Sequence, residues 1–340
     1  MMPSCMRLRS TSPLPEGWSE LEVVEDVIVA DGVELHRVGM ATTGPQGEEI
    51  TGSAAEPTHS PAARSYFELL ERAATLHAIK EQRLVYELRT TDEHPVGECA
   101  ASALFPESDA PARWRYARSN GVAIHSDWKT AALRASWELA ERDRLLRAWY
   151  GDIRPVRLVD CDVAELAQAT SYEWCAFSFP EPVIDHFARD LQVVGVFGFP
   201  GRSDAPLVLG YGARPELSSA VEAAVREAMQ GLAFLWGEPV TDHAPELGPT
   251  PMHHLERFQF QGNHHLLKRW LDGAHMAYGS RAAAPRASAS SIAFVDLTPP
   301  WLGGGYRVAK AFCAGAVPLT FGDVAFAAHL PVHMRAHPIA

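Results

Sequence analysis

The sequence predicts a mixed α/β (α+β) fold, because runs of strand-forming residues alternate along the chain with long helical patterns. Short apolar and β-branched runs predict strands within 21–40, 156–160, 192–200 and 206–213. Apolar residues at helical spacing predict helices within 60–81, 129–151 and 216–237. With 47% hydrophobic residues, a chain of 340 residues has ample material for a sizeable core.

Local signals predict where several of these elements begin and end. Asp31-Gly32 divides the first strand run and is a strong hairpin turn signal. Pro61 predicts the start of the first helix, since proline is favoured in the first helical turn. Gly151 predicts the end of the second helix.

The domain organisation follows from composition along the chain. Residues 1–20 are rich in Ser, Pro and Arg, which predicts a disordered N-terminal leader. Residues 21–340 are predicted to form one domain, with sub-lobes at 21–150 and 151–340. An Ala/Ser/Arg-rich stretch at 280–291 predicts an irregular loop within it.

The overall charge and the cysteine count exclude several classes of protein. The net charge of −12 argues against nucleic-acid binding, which needs clustered Lys and Arg against phosphate. No apolar run reaches the roughly 18–20 residues of a membrane-spanning helix. Five scattered cysteines, an odd number without a CxxC pair, fit a reducing cytoplasm better than a disulfide framework.

The most informative local feature is an internal repeat. Residues 65–72 read SYFELLER, and 135–142 read ASWELAER, so both carry Glu-x-x-Glu-Arg behind an aromatic residue. Helical residues three apart share a face, so the two glutamates of each copy project side by side. If the helices face each other, four carboxylates converge and need cations, and Mg²⁺ with substrate phosphates fits them. The carboxylates are Glu68, Glu71, Glu138 and Glu141.

Further residues extend this interpretation. The arginines that end the two copies, Arg72 and Arg142, could hold phosphate oxygens in a planar fork. The third helix carries a related step from Glu227 to Gln230. The competing interpretation is a solvated helix face, on which such motifs are common. A di-iron carboxylate site is disfavoured, because neither repeat helix offers the Glu-x-x-His that it uses.

Other candidate sites favour structural roles. The His-His pairs at 253–254 and 264–265 suggest zinc, but no cysteine lies nearby in the sequence. Trp137 and Trp149 lie about 120° apart around one helix, which predicts separate packing roles and not a platform for a base.

Taken in order, several segments resemble the YcaO family. They are SYFELLER (65–72), SNGVAIHSDWKTAALRASWELAERD (119–143), LGYGARPELSSAVEAAVREAMQ (209–230), YRVAKAFCAGAVPLTFG (306–322) and the chain end HPIA. The resemblance covers about residues 35–340. It implies a YcaO-like fold of mixed β-sheets, with ATP- and Mg²⁺-binding helices.

The resemblance implies ATP-dependent activation of a peptide backbone amide, with ATP and Mg²⁺ as cofactors. In azole-forming members, a Cys, Ser or Thr side chain of a ribosomally made precursor peptide attacks the preceding amide carbonyl. ATP phosphorylates the oxyanion, and phosphate elimination leaves an azoline. Other members install thioamides together with a TfuA-like partner.

The resemblance also implies roles for particular residues. The four repeat glutamates would hold the metal ions, and the implied nucleotide contacts are Arg142, Glu227, Gln230 and Ser126. Pro338 and Ala340 are carried over as catalytic, because the azole-forming branch often ends in a Pro-rich tail whose terminal carboxylate reaches the active site.

The chain departs from the family pattern at several positions. His125, Ser126 and Thr130 stand where Gly, Asn and an acidic residue are usual, and Leu232 stands in place of an Arg. Losing hydrogen bonds to charged groups, each worth about 1.5–3 kcal/mol, would weaken ATP binding. Two outcomes therefore remain open: a divergent active enzyme, or a degenerate scaffold or partner subunit.

The expected partners follow from the same resemblance. The chain begins almost directly with the YcaO-like region, so recognition of the precursor peptide is expected from a separate leader-peptide-binding or TfuA-like protein. No nucleic-acid or membrane partner is expected, and a homodimer is left open.

Overall fold

A computed structural model describes residues 14–106, 114–151, 153–159, 163–181, 188, 190–246, 248–273, 292–303, 305–323 and 335–339. The predicted loop at 280–291 lies outside the described residues.

The described residues form strands and helices in mixed order, as the predicted α/β fold requires. The strands are β1 Glu22–Ala30, β2 Val33–Thr43, β3 Glu49–Glu56, β4 Val85–Arg89, β5 Pro95–Ala100, β6 Trp114–Tyr116, β7 Val122–His125, β8 Val156–Leu158, β9 Glu173–Ser178, β10 Gln192–Phe199, β11 Val208–Arg214, β12 Ala293–Asp296, β13 Arg307–Phe312 and β14 Thr320–Gly322. The α-helices are α1 Ala62–Lys80, α2 Ala101–Leu104, α3 Trp128–Trp149, α4 Val163–Ala169, α5 Leu217–Leu235, α6 Pro251–Gln259 and α7 His264–Leu271.

The strands pair into four antiparallel sheets within the described part of the chain. Their orders are β1-β2-β3, β11-β10-β9-β8, β5-β4-β12-β13-β7 and β14-β6. The β1–β2 hairpin turns at the predicted Asp31-Gly32, where φ is 48° and 91°. These left-handed values are those of a type I′ turn, for which Asp-Gly is suited.

Helix α1 packs closely on β3 because one position of the strand carries no side chain. A Cβ atom on Gly52 would lie 2.0 Å from the carbonyl oxygen of Ser65. The Ser65 hydroxyl instead donates a hydrogen bond to the carbonyl oxygen of Gly52, at 2.9 Å. This contact brings the first Glu-x-x-Glu motif against the neighbouring Ser53.

Helix α5 packs on β11 in the same way. A Cβ atom on Gly210 would lie 2.1 Å from the carbonyl oxygen of Ala224, and one on Gly212 would lie 2.3 Å from that of Ala220. The alternate glycines therefore let the strand and the helix touch backbone to backbone, which is a recognised use of glycine in strands.

Helix α3 begins where Asp127 accepts a hydrogen bond from the Thr130 N–H at 2.8 Å, an N-cap that the sequence analysis did not use. The helix is followed by Gly151 at a φ of +95°, as predicted for its end. Its last turns enter the largest core cluster, in which Trp149 stacks edge-on against Trp270 with ring centroids 5.3 Å apart.

Other outcomes concern the ends of the chain. Leu14 and Trp18 lie within the predicted leader, and both pack against the cluster formed by β1, β2, β3 and α1. Residues 1–13 lie outside the described part. Among the described residues, no helix has the length and apolar character needed to cross a membrane.

Candidate functional site

A cavity of about 720 Å³ lies where α1, α3 and α5 converge. All four glutamates of the internal repeat line it, so the two copies of the motif face each other across one space. The lining residues that the sequence predicted are Glu68, Glu71, Glu138, Glu141, Glu227, Gln230 and Ser126.

On α1, the two glutamates are in different situations. Glu68 accepts hydrogen bonds from the backbone N–H of Ser53 at 2.7 Å and from Arg72 Nη2 at 2.6 Å. Burial raises the pKa of Glu71 well above its usual value, and the charges of Glu138 and Glu68 raise it further. A bound cation would offset the cost of the charged Glu71 carboxylate.

On α3, Glu138 and Glu141 add two further carboxylates whose pKa values are raised. Burial raises the pKa of Glu141 to about 8, even though Arg142 opposes the shift. The pKa of Glu138 is also raised by burial, against the attraction of Arg142 and Lys310. Because these charged forms are disfavoured in the ligand-free cavity, a divalent cation would be strongly stabilising there.

On α5, Glu227 and Gln230 tie the helix to its neighbours. Glu227 accepts the N–H of Tyr211 at 2.7 Å, and burial raises the pKa of its carboxyl. Gln230 Nε2 donates to the carbonyl oxygen of Ser53 at 3.1 Å. The Ser53 backbone thus joins α1 and α5 through its N–H and its C=O.

Arg142 lies behind the carboxylates and does not line the cavity wall. Its Nε is 3.7 Å from Glu141, and its Nη2 is 3.9 Å from Glu227. Burial disfavours its charge, but the surrounding glutamates more than offset this, so its pKa is raised. Its Nη1 is buried and lacks a hydrogen-bond partner among the described residues, so a donor remains for an anion.

Several predicted residues are placed differently from expectation. Arg72 bonds to Glu68 and to Thr51 and is not among the residues that line the cavity. Pro338 lies behind the cavity wall, where its carbonyl oxygen accepts the Tyr211 hydroxyl at 3.2 Å. Ala340 lies outside the described residues.

Two buried histidines, His254 and His337, hold the C-terminal segment against the rest of the fold. His337 Nε2 bonds to the carbonyl oxygen of Thr320 at 2.6 Å, and His254 Nδ1 bonds to that of His337 at 3.2 Å. The backbone N–H of Gly322 donates to His254 Nε2 at 2.9 Å. Both ring nitrogens of His254 are therefore engaged with backbone groups, which is the structural role predicted for it.

Sequence reasoning missed the cationic side of the cavity. The arginines that line it are Arg64, Arg134, Arg214 and Arg226. One signal was available: the repeat extends one residue towards the N-terminus, because Arg64 and Arg134 each stand four positions before the first glutamate of their motif. No local pattern marks Arg214. It is the last residue of β11, and only tertiary packing brings it to the cavity.

Aromatic residues also line the cavity. Trp137 packs against the largest core cluster, as its predicted packing role requires, and it also faces the cavity. The guanidinium carbon of Arg214 lies 5.2 Å from its ring centroid. Phe67 and Tyr306 line the same space, with ring centroids 5.2 Å apart. Trp149 is fully buried, as predicted for a core residue.

The donor set fits magnesium and phosphate together better than a metal ion alone. Among the described residues, no three carboxylate, imidazole or thiol groups are close enough to enclose a metal ion. Mg²⁺ is commonly bound by one or two carboxylates, with waters and substrate phosphates completing its octahedron. Carboxylates with raised pKa values in a cavity that arginines also line therefore suit a metal–polyphosphate ligand.

Comparison with known proteins was made on sequence and on structure. The family model described as YcaO cyclodehydratase, ATP- and Mg²⁺-binding, matches residues 84–317, more than two thirds of the chain. No curated protein matches the sequence. The matched segment contains Glu138, Glu141 and Glu227 and begins after α1, so Glu68 and Glu71 are assigned to the site by geometry alone.

Solved structures share the fold at low sequence identity. The chain is similar to YcaO from Methanopyrus kandleri bound with AMPPCP and Mg²⁺, with a TM-score of 0.59, 19% identity and 86% of each chain covered. It is similar to a heterocyclase in complex with substrate and cofactor, with a TM-score of 0.55 and 16% identity, over 87% of this chain and 49% of that one. It is also similar to the E. coli microcin synthetase McbBCD complex, with a TM-score of 0.55 and 11% identity, over 92% and 91%.

The family match, the shared fold and the paired glutamate helices agree. The predicted resemblance and the predicted mixed α/β architecture are confirmed. The chain therefore belongs to the YcaO family, whose cofactors are ATP and Mg²⁺.

Proposed function

We propose that the cavity binds Mg²⁺–ATP and that the protein activates a backbone amide of a peptide. The reaction favoured is cyclodehydration of Cys, Ser or Thr to azolines in a ribosomally made precursor peptide. The observation that carries this proposal is the convergence, in one cavity, of glutamates from α1, α3 and α5 whose carboxyl pKa values are raised.

The roles of the chain's own residues follow from their positions. Glu71, Glu138 and Glu141 would hold the magnesium ions, because their charged forms lack sufficient compensation in the free protein. Glu68 would also contribute a carboxylate oxygen. Its hydrogen bonds from the Ser53 N–H and from Arg72 hold the carboxylate in position. Arg142, which does not line the cavity, would hold the neighbouring carboxylates of Glu141 and Glu227 in place towards the nucleotide and its metal ions.

The chemistry requires positioning and charge neutralisation above all. Bound ATP would supply the phosphoryl group that turns the amide oxygen into a good leaving group. Gln230 and Glu227 shape the wall against which the nucleotide would lie, and Ser126 stands at its exposed rim. Pro338 would act indirectly, through the hydrogen bond that holds Tyr211.

Partner proteins and location belong to the same proposal. The microcin synthetase that this chain resembles in fold is a complex, which supports a separate protein for recognition of the precursor peptide. A TfuA-like partner would point to the thioamide-forming alternative. Cys99 and Cys175 form no disulfide among the described residues, which is in keeping with the proposed location in a reducing cytoplasm.

A degenerate scaffold is the second candidate, and a specific observation favours it. His125, one of the positions where the chain departs from the family pattern, lines the cavity, and its Nδ1 bonds to Asp127 at 2.9 Å. A scaffold would bind a peptide or a partner subunit without turning over ATP.

Calorimetry and reconstitution separate the two candidates. We expect the purified chain to bind Mg²⁺–ATP, and the chain with its partner and precursor peptide to release phosphate as the peptide loses one water. Glu141→Gln should abolish phosphate release, whereas Glu222→Gln, an exposed change on α5 outside the cavity, should not. Undetectable binding at millimolar Mg²⁺–ATP by the folded protein would contradict the enzyme and favour the scaffold.

A further inference from the structure

Three arginines on the cavity wall have no role in the function proposed above. Arg134 projects from α3 and Arg226 from α5, and both are exposed. Arg214, at the end of β11, is half-buried between them. We call Arg134, Arg214 and Arg226 the arginine triad.

The arginine triad lacks counter-charges. Among the described residues, no carboxylate oxygen lies within 4.0 Å of its guanidinium nitrogens, and Arg214 Nη1 donates to the carbonyl oxygen of Ala213 instead. The fourth arginine of the cavity differs, since Arg64 pairs with Glu56 at 2.6 Å. An uncompensated cluster of like charges is costly unless an anion binds it.

The electrostatics show that these groups act on one another and on the carboxylates. Burial lowers the pKa of Arg214, Arg134 and Arg226 lower it further by repulsion, and Glu141 opposes the shift. The arginine triad therefore adjoins the carboxylates at Glu141, although it does not pair with them. A space flanked by guanidinium groups on one part of its wall and carboxylates on another can hold an anion that also carries metal ions.

The charge of the triad indicates what kind of anion fits. A single carboxylate of a peptide would neutralise one guanidinium and leave two uncompensated. A polyphosphate chain carries three or four negative charges, and its oxygens match the planar fork of arginine. The same chain can share oxygens with Mg²⁺ held by the carboxylates.

We propose that Arg134, Arg214 and Arg226 form the polyphosphate subsite of the cavity, binding the phosphate chain of the nucleotide beside the carboxylate-held magnesium. This inference rests on the proposed function, because it assigns the phosphate contacts of the same site. It assigns the chain's phosphate recognition to α5, α3 and the end of β11, and not to Arg72.

The test measures binding and needs no turnover. Calorimetry with Mg²⁺–ATP and with Mg²⁺–tripolyphosphate, which lacks the adenosine, is carried out on the wild type and on variants. Arg214→Gln should weaken both ligands about 10- to 100-fold, because it removes charge-assisted hydrogen bonds. The exposed Arg134→Gln and Arg226→Gln should each weaken both by about fivefold or less.

Controls separate a local effect from misfolding or from general charge. Lys129→Gln removes one positive charge from an exposed site on α3 outside the cavity and should leave affinity within twofold. Arg214→Lys keeps the charge and loses the fork, so its affinity should fall between wild type and Arg214→Gln. Quenching of Trp137 fluorescence by the ligand, absent in Trp137→Phe, would report occupancy next to Arg214.

Each outcome bears on the proposal. Equal affinity of wild type and all three Gln variants for both ligands would overturn it, and loss of affinity only for an acidic peptide would replace the phosphate by a peptide carboxylate. If the wild type binds neither ligand, the subsite and the ATP-dependent function both fail. Arginine-dependent binding of tripolyphosphate without any peptide modification would sustain the subsite and contradict the enzyme.

Discussion

Two neighbouring regions of α3 bury charged side chains in different ways. In the first, Glu138 and Glu141 face the cavity with raised pKa values, and Arg142 behind them keeps a donor without a partner. In the second, Asp143 and Arg147 are buried, and their charged groups are 2.9 Å apart. The two regions use the same residue types and lie within three turns of one helix.

The second region is satisfied by the fold itself. Asp143 also accepts the N–H of Val317 at 2.7 Å, and Arg147 Nη2 donates to the carbonyl oxygen of Gly315 at 2.8 Å. Arg144, between them, donates from both terminal nitrogens to the carbonyl oxygens of Leu191 and Ala188, each at 2.6 Å, although its Nε has no partner among the described residues. Buried charges that meet an opposite charge or carbonyl oxygens are structural, whereas carboxylates crowded together in a cavity mark the place where a ligand contributes.

Breaking the satisfied pair should have the largest effect. Asp143→Asn leaves the Arg147 guanidinium buried without its counter-charge, and we expect the free energy of unfolding to fall by about 3–5 kcal/mol in urea denaturation. The exposed Asp92, 3.3 Å from Lys129, provides the matched control, and Asp92→Asn should cost less than about 1 kcal/mol. A loss at Asp143 as small as that at Asp92 would remove the distinction between the two regions.

Neutralising Glu141 in the first region should raise the free energy of unfolding at neutral pH instead of lowering it. The folded-state pKa of Glu141, about 8, lies above the unfolded value near 4.5, so its contribution to stability is lost as pH rises between these values. The stability of Glu141→Gln relative to wild type should therefore increase from pH 5 to pH 8 by up to about 1.4 kcal/mol per pH unit. Added Mg²⁺ with a non-hydrolysable nucleotide should reduce this difference, and a pH-independent difference would contradict the raised pKa.

The buried histidines extend the comparison to groups whose charged form is disfavoured by burial. Burial lowers the pKa of His337 to about 4 and holds that of His254 well below its usual value of 6.5. Because the unfolded chain takes up the proton first, stability is lost as pH falls below about 6.5. The advantage of wild type over His337→Gln should shrink by about 2 kcal/mol from pH 7 to pH 5 in thermal unfolding. An advantage that stays constant over this range would show that His337 titrates normally.

The smallest effect is expected at Tyr211, which belongs both to the cavity lining and to the largest core cluster. Tyr211 donates its N–H to Glu227 and its hydroxyl to Pro338, so Tyr211→Phe removes only the second contact. We expect a loss of about 0.5–1.5 kcal/mol in stability, the net value of one hydrogen bond. If Pro338 acts through Tyr211, the variant should lower phosphate release further than this change in stability explains, and unchanged kinetics would remove Pro338 from the site.

The local sequence could predict part of the site because helical periodicity is a short-range property. Glu68 and Glu71 share a face of α1 whatever the tertiary structure, and so do Glu138 and Glu141 on α3. Gln230 and Glu227 were found in the same way. The placement of Arg142 behind these carboxylates was not predictable, because spacing along a helix does not determine how deeply a long side chain is covered.

Other residues could not be predicted from local pattern at all. Arg214 and Trp137 meet because the end of β11 passes over α3, and their contact joins residues 77 positions apart. Lys310 on β13 is similar: it is buried, burial lowers its pKa to about 8, and Glu138 and Glu71 attract it from two other elements. Such contacts depend on sheet order, which short-range signals do not specify.

The sequence alone determined the family, the mixed α/β architecture, the hairpin at Asp31-Gly32 and the paired faces of acidic residues on two helices. These properties arise from hydrogen bonding and side-chain spacing within a few residues, so they can be read without coordinates. Only the tertiary structure decided which charges find partners. The free energy of a buried charge depends on all the groups packed around it. Asp143 accepts hydrogen bonds from Arg147 and from the Val317 N–H, whereas Glu141 lies among other carboxylates and its pKa is raised.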